Sequence, residues 1–162
     1  MTVLVAYASK HGSTAGIADA IADALVDHEV KAEAKSVDTV DDLGPYEAVV
    51  LGSAVYAGSW MKDAVAFAER HTDALAHMPV WLFSSGPLGE DVKDAEVQPR
   101  QLPGLRRTIA FRDHRVFFGA LDTRVLGFGE RMIAKAVKAP TGDFRDWDAI
   151  RAWAERIAEE LD

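Results

Sequence analysis

The chain has 162 residues, 49% hydrophobic and 27% charged, enough for one domain whose core needs no covalent staples. It contains no cysteine, which excludes disulfides, thiolate metal sites, iron–sulfur clusters and CxxC chemistry, so redox work would fall to a bound group. A net charge of −8 argues against nucleic acid as a partner. No apolar run approaches the roughly 20 residues of a membrane span, and no leader-like segment precedes Val3, so the expected location is the cytoplasm.

In chain order, Val3-Leu-Val-Ala-Tyr7 is a continuous apolar run, as expected of a strand covered on both faces. A helix is expected from Thr14 to Val26, with Ile17, Ile21 and Leu25 on one stripe and Asp19, Asp23 and Asp27 outward. Val30 to Ser36 alternates, with Lys31, Glu33 and Lys35 on one side, which suits the edge of a sheet. Ala48 to Gly52 is a second buried strand. Lys62 to His71 is its helix, with Met61, Ala64, Val65 and Ala68 inward. Pro79 to Ser84 and Arg115 to Gly119 are further strands, the last reached through a long connection with a short helix near Leu105. A final helix from Asp146 to Glu160 carries the stripe Ile150, Trp153, Ala154, Ile157 and Leu161. This alternation predicts an α/β fold over residues 1–162 as a single domain, a doubly wound five-stranded parallel sheet of order 2-1-3-4-5. Ligands of such sheets bind at the carboxyl ends of the strands, at the switch point between the first and third.

The segment Ala8-Ser-Lys-His-Gly-Ser-Thr14 joins the first strand to its helix. Free amides of a first helical turn, the helix dipole and small hydroxyl side chains suit a phosphate, and Gly12 allows a tight turn. The plainer reading is that Ser13 or Thr14 only caps the helix. No GxGxxG or GxxxxGK[ST] motif is present, which disfavours a dinucleotide site and NTP hydrolysis. The strands ending at Ala8 and Ser53 lack the carboxylates that a receiver domain uses to hold a metal.

Tyr7-Ala-Ser-Lys-His-Gly-Ser-Thr14 resembles the flavodoxin FMN-phosphate signature, [ST]-x-x-G-x-T after the first strand, and the likeness extends over essentially the whole chain. Within that superfamily the chain is similar to the group containing the menaquinone-dependent protoporphyrinogen dehydrogenases. The similar stretches are Val49-Val-Leu-Gly-Ser-Ala-Val-Tyr-Ala-Gly58, Phe117-Phe-Gly-Ala-Leu121 and Asp143-Phe-Arg-Asp-Trp-Asp148. The resemblance implies FMN, with its phosphate held by Ser9, Lys10, His11, Gly12, Ser13 and Thr14. His11 stands where carrier flavodoxins usually have a third hydroxyl. By the same resemblance Ala54, Val55, Tyr56, Ala57 and Gly58 lie along the flavin ring, with Tyr56 preferred over Trp60 as the stacking aromatic. Ser84, Ser85, Gly86, Pro87 and Leu88 would border its pyrimidine edge. The segment Ser84 to Gly89 brings no second aromatic, so one ring face would stay open to a substrate.

Charge is unevenly distributed: residues 1–92 carry 5 Lys/Arg against 14 Asp/Glu, whereas residues 93–138 carry 10 against 5. A helix from Gly129 would place Met132, Ile133, Ala136 and Val137 on one face, with Arg131, Lys135 and Lys138 around it. Such a segment suits peripheral contact with the inner face of an anionic membrane, and Arg106, Arg107 and Arg124 suit the propionates of a tetrapyrrole. An ordinary packed helix with a solvated basic face accounts for the same pattern. His28, His71 and His77 are expected to face solvent, His114 opens a strand, and no histidine has a second metal ligand at useful spacing. The expectation is an FMN-dependent oxidoreductase acting on a small redox substrate such as a porphyrinogen or quinone, with no side chain singled out as acid or base. The rival is a non-enzymatic carrier serving a redox protein partner, and a third reading is an interaction module that has lost its flavin. Oligomeric state is left open.

Overall fold

Successive side chains of the first strand, Thr2–Ala8 (β1), point to opposite faces of the sheet, and both faces are dry. Val3 and Val5 join one core with Ile17, Ile21, Leu25, Trp153 and Ile157. Leu4 and Ala6 join a second with Phe67, Leu75, Leu102 and Leu105. The same division runs through Val50 against Leu51 and Phe83 against Leu82, so helices must cover the sheet on both sides. The computed structural model describes residues 2–9, 12–56, 58–86, 99–117, 120–121, 142–143 and 145–161.

After β1 come α1 (Ser13–Asp27), β2 (Lys31–Ser36), β3 (Ala48–Tyr56), β4 (Ser59–Trp60), α2 (Lys62–Arg70), α3 (Thr72–Leu75) and β5 (Val80–Ser85). Then follow α4 (Leu102–Thr108), β6 (His114–Phe117), β7 (Ala120–Leu121), β8 (Gly142–Asp143) and α5 (Trp147–Leu161). The main sheet is parallel in the order β2-β1-β3-β5-β6, with β4 added antiparallel to β3. With β4 set aside, this is the 2-1-3-4-5 order expected from the sequence. Charged β2 lies at the edge, where Glu33 accepts a hydrogen bond from the Tyr46 hydroxyl and stands 3.4 Å from Lys35. That bond from Tyr46 is the main reason the Glu33 carboxyl is held below its ordinary range.

Three details differ from the sequence reading. The segment from Ser53 to Tyr56, read as loop, continues β3 and turns back through Gly58 (φ 77°) into β4, pairing Val55 with Trp60. Phe67, left out of the inward face of α2, is fully buried, whereas Met61 and Val65 are only half-buried. His71, expected in solvent, packs on the Phe67 ring at 4.7 Å and its Nε2 is buried without a partner. Burial, helped by the Arg70 charge and opposed by Asp42, lowers its pKa. The helix expected from Gly129 lies outside the described residues.

Candidate functional site

Register places three strand ends side by side. Ala8 pairs with Ser53, Ser53 with Ser84, and Ala54 with Ser85. The segments after β1, β3 and β5 therefore open on one edge of the sheet, where β1 and β3 lead to opposite faces.

At the β1–α1 junction, Ser9 Oγ accepts the Gly12 N–H at 3.1 Å, and Gly12 turns the chain with φ 87°. The first ladder bond of α1 runs from Gly16 N–H to the Gly12 carbonyl at 3.0 Å, so the amides of Ser13, Thr14 and Ala15 precede the ladder and gain no partner from it. No acidic residue occupies the first turn. Thr14 is 1% exposed, and its Oγ1 is buried with no hydrogen-bond partner. An orphaned buried hydroxyl costs about 1–3 kcal/mol, a cost that an oxyanion seated in this turn would relieve. The cap position itself is Gly12, so neither Ser13 nor Thr14 is the N-cap; both lie inside the helix. Lys10 and His11 lie outside the described residues.

At the end of β5, Ser84 Oγ is buried and joins two distant groups. Trp60 Nε1–H donates to it at 2.8 Å, and His114 Nε2 lies 2.8 Å from it. Desolvation, reinforced by Arg106 and opposed by Asp113, lowers the His114 pKa to about 4. The ring is therefore neutral near pH 7, and with Nδ1 carrying its proton, Ser84 can donate to Nε2 while accepting from Trp60. Trp60 is 3% exposed and packs in the core. Neighbouring bonds hold the β3–β4 hairpin: Met61 N–H to Ser53 Oγ at 3.0 Å, Trp60 N–H to Gln101 Oε1 at 3.0 Å, and Arg100 N–H to the Gly58 carbonyl at 3.0 Å. Gly86 (φ 98°) donates to the Phe117 carbonyl at 2.9 Å, and a Cβ on it would stand 3.6 Å from the Val55 carbonyl oxygen. The structure thus brings Ala54, Val55, Ser84, Ser85 and Gly86 together. The Tyr56 side chain, Ala57, Pro87 and Leu88 lie outside the described residues.

Asp113 anchors the start of β6. Burial would raise its carboxyl, but hydrogen bonds from Trp153 Nε1 (2.9 Å) and Arg115 Nε (3.0 Å) hold it below the usual range. Among the described residues no cluster of His, Asp and Glu suits a metal ion, and no helix is long and apolar enough to cross a membrane.

A parallel sheet flanked by helices on both faces, with order β2-β1-β3-β5-β6, defines a doubly wound α/β protein. The chain belongs to the flavodoxin-domain family, whose model matches residues 4–148. A flavodoxin from the domain Archaea is similar in structure with a TM-score of 0.67 at 18% identity, covering 99% of both chains. Oxidised Flavodoxin 1 from Bacillus cereus gives 0.65 at 14%, covering 100% of both. Rubredoxin oxygen:oxidoreductase from Desulfovibrio gigas gives 0.64 at 14%, covering 99% of this chain and 36% of that one. These likenesses establish the fold. No curated protein matches. The family implies a flavin, normally FMN. The Thr14 hydroxyl, the amides of the first turn and the absence of acid there fit its phosphate.

Proposed function

We propose that residues 1–162 form one FMN-binding oxidoreductase domain that takes electrons from a reduced small molecule and passes them to a quinone-like acceptor. The observation that carries the reading is the buried, unpartnered Thr14 hydroxyl at the head of α1. Ser9, Lys10, His11, Gly12, Ser13 and Thr14 would hold the phosphate. Ala54 to Gly58 and Ser84 to Leu88 would border the ring, their amides facing the edge that becomes electron-rich on reduction. The bound flavin would supply the redox chemistry. The chain's own part is to bind, orient and shield: the Trp60–Ser84–His114 bonds fix the neighbouring strands, and the neutral imidazole adds no charge.

A porphyrinogen as donor and a menaquinone as acceptor follow from the sequence resemblance, as does contact of the basic segment with a membrane surface. The absence of an aromatic from Ser84 to Gly89 favours an open ring face and hence an enzyme. Mutual coverage of 99–100% with stand-alone flavodoxins favours a second reading, a carrier for a redox protein. Anaerobic turnover of protoporphyrinogen with a menaquinone analogue tests the choice. Steady two-electron turnover supports the enzyme; no turnover, with reduction in two well-separated one-electron waves, supports the carrier.

A further inference from the structure

Helix α1 has a glycine at position 16 that its backbone does not require. Gly16 lies outside the left-handed region, and alanine would favour the helix. What the glycine leaves is space, which the end of a flexible side chain fills. A Cβ there would stand 2.5 Å from Arg145 Nη1 and 3.8 Å from Trp147 Cη2. The Arg145 guanidinium carbon lies 4.6 Å from the centroid of the Trp147 ring, a cation–π brace that orients the head group. Packing of α5 on α1 brings these residues beside Gly16 from the far end of the chain.

The Gly16 N–H makes the first ladder bond of α1, so the guanidinium lies beside the first turn of the helix, whose buried side carries the Thr14 hydroxyl. Cβ vectors of a helix tilt toward its N-terminus, so a group in the Cβ space of Gly16 stands on the anion side of that residue. The surrounding half of the chain is acidic, with 5 Lys/Arg against 14 Asp/Glu in residues 1–92. A phosphate monoester approaching two negative charges at pH 7 would meet that field, which a cation beside the first-turn amides would further offset.

We propose that Arg145 is a cationic ligand of the flavin phosphate, with Trp147 as its positioning residue and Gly16 as the gap that admits it. The inference rests on the FMN reading above. The planar fork of arginine suits phosphate oxygens through charge-assisted hydrogen bonds, which a lysine copies only in part.

The test is flavin-fluorescence titration of the apoprotein with FMN and with riboflavin, which lacks the phosphate, for the wild type, Arg145→Gln, Arg145→Lys, Gly16→Ala and Trp147→Leu. Arg145→Gln is expected to raise the Kd for FMN at least tenfold, to leave riboflavin within twofold, and to flatten the salt dependence of FMN binding. Arg145→Lys recovers part of the loss. Trp147→Leu gives a smaller, phosphate-specific loss. Gly16→Ala keeps every charge but displaces the guanidinium, so it weakens FMN severalfold while raising Tm; it decides the matter if Arg145→Gln fails to fold. Equal weakening of FMN and riboflavin, or unchanged FMN binding in both Arg145→Gln and Gly16→Ala, overturns the proposal. A wild-type apoprotein with no preference for FMN overturns the reading beneath it; a wild-type preference that Arg145→Gln retains overturns the Arg145 assignment alone.

Discussion

Thr14 carries a cost that the fold alone does not repay, a buried hydroxyl without a hydrogen-bond partner. Thr14→Val removes the orphaned hydroxyl at nearly constant shape, so the apoprotein should be as stable or about 1 kcal/mol more stable in chemical denaturation. Binding of FMN should fall tenfold or more, and the double variant Thr14→Val with Ser9→Ala should bind it very poorly while remaining folded. A less stable apoprotein with unchanged affinity would assign Thr14 to packing. His114 gives a pH signature. Its folded pKa of about 4 lies below the ordinary 6.5, so as pH falls through 6.5 the unfolded chain takes up a proton that the folded ring refuses. Stability is fully present above 6.5 and is lost towards pH 4, by about 1–3 kcal/mol once solvent screening is allowed for. His114→Gln should flatten that slope in denaturation curves taken between pH 6.5 and 4; an unchanged slope would place its origin elsewhere. The junction of β1 and α1 was legible because a buried apolar run passes into an amphipathic helix within a few positions; that it holds a phosphate is the proposal made above. The Trp60–Ser84–His114 link and the Arg145 contact were not, because they join residues far apart in sequence. The one local signal for the latter was a glycine inside an otherwise regular helix.

Among the elements, the buried strands were readable from their continuous apolar runs, and β2 from its alternation of charge. The β3–β4 hairpin was missed because Ala54-Val-Tyr56 carries no turn residue before Gly58, so the strand ran on where a loop was expected. Phe67 was missed because α2 was read as one narrow stripe, whereas its buried face takes in positions 64, 67 and 68. The β3–β5 pairing carries its own test. Gly52 lies opposite Phe83, whose ring fills the space a Cβ would need. That ring in turn packs on Phe117 and Trp153, each 6.3 Å away between centroids. Gly52→Ala should cost about 1–3 kcal/mol by overpacking, read as a lower Tm. Because position 52 precedes the strand ends, the preference for FMN over riboflavin should survive; its loss would mean that the sheet and the site are coupled more tightly than described.

At the scale of the molecule, the alternation of strands and helices was enough to predict the sheet order, because a parallel sheet covered on both faces leaves few arrangements for five strands. A donor and an acceptor are less legible, since a fold does not by itself specify them. The uneven charge bears on partners: an acidic amino-terminal half repels anionic surfaces, and residues 93–138 offer the basic one. If that segment meets an anionic membrane, sedimentation with vesicles containing anionic lipid should exceed that with neutral vesicles and fall as salt is raised. Equal sedimentation with both would leave the basic face to solvent or to a protein.

If the turn between β1 and α1 recognises the phosphate of a flavin, the dissociation constants of wild-type apoprotein for FMN and riboflavin will differ. FMN is expected to bind at least a hundredfold more tightly, with inorganic phosphate competing against it; equal affinity for the two flavins would mean that the turn has no part in binding.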